Sequence, residues 1–274
     1  MLNTASNTTG EQTFTRNEEI HGLTSAVWIP PDGNPVGVAL VLPGLNLKPD
    51  RMGALARVLT DKGVLVLLGS LTGHLGGREL LDTVSPETWI SDCLSLYESA
   101  LEESKRYEVP IFFVGHSLGC LAVLDAMERY ERVRFDRLVL FAPAVTPRPF
   151  ARAARLLGNN FIVPSKTPEE YRVHNGIPAA AYHALLKLSR HLHASGYRRI
   201  NEPALVFIDK RDELIGYRPL LALTKTRLTR WRIITVDSEK SRLPRSYHHL
   251  IIDEDSVGTE QWRSIREEVA EFIR

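Results

Sequence analysis

A short apolar run, Ile111-Phe112-Phe113-Val114, leads directly into Gly115-His116-Ser117-Leu118-Gly119 and then into Leu121-Ala122-Val123-Leu124-Asp125-Ala126-Met127. The first segment reads as a buried strand and the last as a helix with apolar positions at helical spacing. Strand, G-x-S-x-G and helix in that order form a nucleophile elbow. The turn between them has to be tight enough to force the serine into a strained backbone conformation. A side chain at Gly115 or Gly119 would collide with the neighbouring strand or helix. Ser117 is thereby presented at a helix N-terminus, where unpaired N–H groups and the helix dipole favour negative charge.

The pattern around this unit extends it into a fold. Ala26 to Ile29 and Val36 to Leu42 read as strands joined across the turn-forming cluster Pro30-Pro31-Asp32-Gly33. A helix is expected from about Met52 to Lys62, capped by Asp50 and stopped by Gly63. Val64 to Leu68 is a short strand and Gly69 to Gly77 a glycine-rich loop. Ser85 and Pro86 then open a helix with an apolar stripe of Trp89, Ile90, Cys93, Leu94 and Tyr97. Leu138 to Phe141, Ala204 to Ile208 and Trp231 to Val236 are further strands, and a helix is expected from about Val257 to Arg274. From residue 36 onward strands alternate with helices, which predicts an α/β fold with a mostly parallel sheet covered on both faces. In such sheets the site lies at the carboxyl ends of the strands.

Residues 146–200 break the rhythm, with no good strand and a strongly helical stretch from Ala179 to Ala194. So long a connection between sheet strands is read as a helical cap over the carboxyl edge. The expected organisation is a loose lead-in over residues 1–24, a core over 25–145 and 201–274, and the cap over 146–200.

The formal net charge of +1 argues against a nucleic-acid partner held by electrostatics. Cys93 and Cys120 both fall in apolar helical patterns, without disulfide or metal spacing. Residues 1–19 lack a signal-peptide profile and no run approaches the length of a membrane span. These features together lead to the expectation of a cytoplasmic protein without stable membrane insertion.

A serine hydroxyl is a poor nucleophile near neutral pH and needs a base, itself oriented by a carboxylate. After an elbow serine these partners follow in the order acid, then histidine. The loop after Leu138–Phe141 contains no acid. The loop after Ala204–Ile208 reads Asp209-Lys210-Arg211-Asp212-Glu213, offering three candidates. Beyond the strand Trp231–Val236 stands Tyr247-His248-His249-Leu250, which holds the only histidines downstream of the acid loop.

With these segments in order, the chain resembles the α/β-hydrolase superfamily, nearest to its carboxylesterase and monoacylglycerol-lipase-like branch, over about residues 25–274. Val114 to Gly119 match the elbow. Asp212-Glu213-Leu214-Ile215 resembles the acid segment, and Ser246-Tyr247-His248 with Asp253 five residues on resembles the histidine segment. The resemblance implies catalytic Ser117, Asp212 and His248, with His249 packed beside or exposed. It also implies an oxyanion hole from the backbone N–H groups of Leu45 and Leu118. One departure stands in Leu42-Pro43-Gly44-Leu45-Asn46, where many relatives carry histidine before the glycine; a backbone donor survives that change.

The implied activity is hydrolysis of carboxylic esters through an acyl-enzyme, on a small substrate with an apolar acyl chain, with no metal or organic cofactor. A thioesterase or amidase would use the same residues, and a catalytically silent binding protein can share the fold. Other groups are discounted. His183, His191 and His193 lack metal-ligand spacing, and His74 resembles a structural loop residue. The Gly69–Gly77 loop lacks dinucleotide spacing, and the basic stretch Lys225–Arg232 reads as a solvated connection. Tyr182, Leu185, Leu186, Leu188 and Leu192 form an apolar helix face that either packs on the sheet domain or lines an acyl pocket.

Overall fold

The computed structural model describes residues 16–20, 24–149, 156–239, 241–243 and 247–274. Of the lead-in expected over residues 1–24, residues 1–15 and 21–23 lie outside these, as does Ser246 of the histidine segment. The strands in chain order are β1 (Arg16–Ile20), β2 (Thr24–Ile29), β3 (Gly37–Leu42), β4 (Val64–Gly69), β5 (Ile111–His116), β6 (Arg137–Phe141), β7 (Ile162–Pro164), β8 (Gly176–Pro178), β9 (Ala204–Asp209) and β10 (Trp231–Val236). One sheet takes the order β1-β2-β4-β3-β5-β6-β9-β10. Pairing is parallel from β4 through β10, while β1 and β2 run antiparallel at one edge. Two local expectations change. Residues 16–20 are a strand, and β2 and β3 are not neighbours: β4 inserts between them, because the 30–36 connection leads β3 into the buried centre beside β5.

The helices are α1 (Gly53–Thr60), α2 (Pro86–Tyr107), α3 (Leu118–Arg129), α4 (Ala179–Ser195), α5 (Tyr217–Thr226), α6 (Glu254–Val257) and α7 (Thr259–Phe272). Alternation along β3 sorts them to two faces. Val38, Leu40 and Leu42 join a core with α2, α3, α4 and α5, including Trp89, Leu124, Leu188 and Leu220. Ala39 and Val41 join the opposite core with α1 and α7, including Leu59, Trp262 and Val269. Strands β3, β5 and β9 are buried along their whole length, as parallel strands sandwiched between helices must be.

The helix ends follow local chemistry. Ser85 caps α2 through a reciprocal capping box with Thr88. Asp50 does not cap α1; it lies in the first turn of a 3₁₀ segment, Pro49–Met52, that precedes α1. The C-terminal helix expected from about Val257 is α7, and Gly258, at φ +83°, a backbone conformation that favours glycine, separates it from the short α6 before it.

Between β6 and β9 the chain forms the short antiparallel pair β7–β8, which the sequence did not announce, and then α4. Helix α4 is clamped to α3 by a buried carboxylate. Asp125 is fully buried, with Oδ1 2.5 Å from His191 Nδ1 and Oδ2 accepting from Arg129 Nε at 2.7 Å. Among the described residues no helix is long and apolar enough to cross a membrane.

Candidate active site

The turn from β5 to α3 shows the strain expected of an elbow. Ser117 sits at φ +48°, ψ −107°, a region that costs an ordinary side chain roughly 1–3 kcal/mol. Its N–H donates to the Phe141 carbonyl at 2.9 Å, tying the turn to the end of β6. A Cβ at Gly119 would lie 2.6 Å from the Pro43 carbonyl oxygen, and one at Gly115 would lie 2.5 Å from the Phe113 ring. Neither gap admits a methyl group. A side chain at 119 would have to displace the backbone at Pro43, and one at 115 the buried Phe113 ring.

The loop after β9 brings Asp212, fully buried, to the same edge. Its Oδ1 accepts the N–H groups of Leu214 and Ile215 at 2.7 and 2.8 Å. That leaves Oδ2 facing inward, 2.8 Å from Nδ1 of His249. The other ring nitrogen of His249 lies 2.9 Å from Ser117 Oγ. Since a carboxylate only accepts, His249 carries its proton on Nδ1 and offers Nε2 as the acceptor for the serine O–H. Serine, imidazole and carboxylate are joined in one continuous chain of hydrogen bonds.

Ser117 and Asp212 are thus brought together as expected, and His248 is not. His248 turns its Nδ1 to Ser238 Oγ at 2.8 Å, with Asp209 Oδ2 at 3.4 Å. Its neighbour His249 occupies the place assigned to it. The expectation took its register from Asp253, five residues past His248. The chain makes a turn, closed by the Leu250 N–H on the Tyr247 carbonyl at 3.1 Å. Asp253 caps α6 and accepts the Tyr171 hydroxyl at 2.8 Å, so it gives no register for the imidazoles. The two adjacent rings diverge, that of His248 to Ser238 and Asp209 and that of His249 to Asp212 and Ser117.

Asp209 is the acid of the second cluster. Burial opposes its ionisation, but hydrogen bonds from Arg211 and Ser238 outweigh that and hold the carboxyl down to about 2. It remains an anion beside His248 at all ordinary pH values.

The segment carrying Leu45 is braced from several sides. Gly44 approaches the elbow so closely that a Cβ there would lie 2.4 Å from His116 Nδ1. His74 Nε2–H donates to the Gly44 carbonyl at 2.7 Å, which fixes the plane of the peptide whose N–H belongs to Leu45. Burial lowers the His74 pKa, in keeping with a neutral ring that accepts the Leu71 N–H on Nδ1. Asn46 exchanges hydrogen bonds with His174, its Oδ1 accepting at 2.7 Å and its Nδ2 donating at 2.8 Å. Leu118 opens α3, so its N–H has no acceptor within the helix.

His116 contributes a feature that the sequence did not suggest. Its Nε2–H donates to the His249 carbonyl at 2.9 Å, and Nδ1 has no partner among the described residues. Burial, together with the nearby His249, pushes its pKa down to about 3. The unfolded chain, with a histidine near 6.5, then binds more protons than the folded one between these values. Stability from this group is complete above about pH 6.5 and falls as the pH drops toward 3, by about 2 kcal/mol at pH 5. Urea unfolding at pH 7.5 and pH 5.0 should therefore show a smaller acid loss for His116→Gln than for the wild type. An equal loss in both proteins would refute this assignment.

Ser117 and His249 open onto a cavity of about 350 Å³ whose walls include Leu45, Leu185, Leu214, Tyr182 and Tyr247. Of the apolar face expected on α4, Leu188 and Leu192 are buried in the core, whereas Tyr182 and Leu185 line this cavity. A larger space of about 820 Å³ flanks other residues of α4, including His183 and Lys187, and holds none of Ser117, Asp212 or His249.

Comparison with known proteins places the chain in context. The model of the Hydrolase_4 family, described as serine aminopeptidase, S33, matches residues 33–255. Monoglyceride lipase of Mus musculus is 30% identical over 145 residues, covering 50% of this chain and 46% of that protein. The chain thus spans about half the length of the curated relatives it matches. A soluble variant of monoglyceride lipase from Saccharomyces cerevisiae, solved with a substrate analogue, superposes with a TM-score of 0.76 at 14% identity, covering 98% of this chain and 96% of that one. A thermostable carboxyl esterase from Bacillus coagulans gives a TM-score of 0.67 at 12% identity, covering 97% and 100%. The fold is that of the α/β hydrolases.

Proposed function

The chain belongs to the Hydrolase_4 family of hydrolases, and from that premise we propose that it cleaves carboxylic esters through an acyl-enzyme formed on Ser117. The observation that carries this reading is the Ser117–His249–Asp212 chain, with links of 2.9 and 2.8 Å, opening onto an apolar cavity. His249 Nε2 takes the hydroxyl proton as Ser117 Oγ bonds to the ester carbonyl carbon. Asp212 holds the resulting imidazolium, and the N–H groups of Leu45 and Leu118 bind the oxyanion. The carbon–oxygen bond to the leaving group then breaks, and the Nε2 proton passes to the departing alkoxide. A water molecule gives a proton to Nε2 as its oxygen bonds to the acyl carbon; the bond from that carbon to Ser117 Oγ then breaks, Nε2 returns the proton to Oγ, and the acid leaves.

The cavity favours an ester over the N-terminal amide that the family's description suggests. An aminopeptidase must hold its substrate's ammonium group, and none of the described residues lining the cavity is acidic. Hydrolysis of p-nitrophenyl esters from acetate to laurate, beside an aminoacyl p-nitroanilide, tests this. Ester turnover with little anilide turnover is expected; anilide cleavage without ester cleavage would overturn it.

In this reading the 146–200 segment acts as a cap that selects the acyl chain. Leu185→Trp should lower kcat/KM for the octanoate by about tenfold, the scale of one or two misfitted methylenes, and leave the acetate within about twofold. A uniform loss across chain lengths would count against a selective cap.

A further inference from the structure

Glu213 follows Asp212 in the chain and reaches the same histidine segment by a different route. One carboxylate oxygen accepts the backbone N–H of His248 at 3.1 Å and the other that of His249 at 3.0 Å. In an extended chain, successive N–H groups point to opposite sides. Here both converge on one anion, so Glu213 stabilises the turned conformation that carries the imidazole. On the far side, the His249 carbonyl is held by His116 Nε2–H at 2.9 Å. The backbone of His249 is thus pinned at its N–H and its C=O, by two side chains from different elements. Asp212 orients the ring but has no hold on the backbone behind it.

We propose that Glu213 is a positioning residue, which sets the distance between His249 and Ser117 by fixing the backbone of the histidine turn. The inference rests on the ester-hydrolase reading above. Without Glu213, two neighbouring N–H groups lose a charged acceptor, and the turn relaxes away from the geometry that the Asp212–His249–Ser117 chain requires. A displacement of about 1 Å at a reacting group costs on the order of 10²-fold in rate. The cavity wall that binds the acyl chain does not include Glu213, so substrate binding is unaffected.

The test measures p-nitrophenyl butyrate turnover by the full chain, as the wild type and as Glu213→Ala, with melting temperatures recorded alongside. The variant should lose roughly 10²-fold in kcat with KM within about twofold, and added sodium formate should restore part of kcat by supplying a carboxylate to the vacated site. A merely structural residue would change the melting temperature without this split and without rescue. Wild-type kcat in the folded variant, a loss that falls on KM, or a loss that formate does not restore would overturn the proposal. Should Glu213→Ala fail to fold, Glu213→Gln decides. The amide replaces one of the two acceptor oxygens by an NH2 donor, which faces one of the two N–H groups, so about a tenfold loss in kcat supports the proposal and an unchanged kcat overturns it. A wild-type protein that hydrolyses no ester would instead sink the hydrolase reading, which separates the two failures.

Discussion

Replacing His249 by alanine is expected to lower kcat/KM for p-nitrophenyl butyrate by about 10⁴–10⁶-fold, the scale seen when one member of a cooperating triad is removed. The same change at His248 should cost no more than about tenfold. The two residues are adjacent, and the contrast follows from what each ring touches. His249 lies between Ser117 and Asp212, so its loss removes the group placed to accept the serine proton. His248 lies between Ser238 and Asp209, where its loss removes a hydrogen bond from the side of the loop away from the serine. The assignment is reversed if the His248 variant is dead and the His249 variant, correctly folded, is not.

Ser117→Ala should be as severe, at about 10⁴–10⁶-fold, with a melting temperature close to that of the wild type. The substitution deletes one hydroxyl oxygen and leaves the core volume untouched. Ser117→Gly separates catalysis from strain. It should be equally inactive, yet more stable than the alanine variant by about 1 kcal/mol, because glycine tolerates positive φ without a Cβ penalty. Turnover within tenfold of the wild type in either variant would remove Ser117 from the mechanism, and a glycine variant less stable than the alanine one would argue against stored strain at the elbow.

The parts of the fold that were legible in the sequence are those set by local chemistry. The glycines around Ser117, the Ser85 cap and the apolar runs of β5, β9 and β10 state their own conformation, and the structure places each where its residues indicate. Loop composition left Asp209, Asp212 and Glu213 open, and only the resemblance of Asp212-Glu213-Leu214-Ile215 to the acid segment of the α/β hydrolases pointed to Asp212. Other features depend on partners far away in the chain. The insertion of β4 between β2 and β3 is a matter of sheet order, which hydrophobic alternation does not encode. The choice between His248 and His249 depends on how the turn is folded, and Glu213 and His116 hold that turn from 35 and 133 residues away. Three acids in the β9 loop were the available signal. Each finds a different part of the histidine segment: Asp209 the ring of His248, Asp212 the ring of His249, and Glu213 the backbone of both.

An activated serine at position 117 is the claim on which the rest depends, and a fluorophosphonate tests it without knowledge of the natural substrate. Such a probe bonds to a serine oxygen whose proton a neighbouring base can remove, not to an apolar cavity as such. After incubation with the folded protein, mass spectrometry of its peptides should show one adduct, on Ser117, lost in His249→Ala and retained in His248→Ala. A folded wild-type protein that carries no adduct on Ser117 would contradict the account.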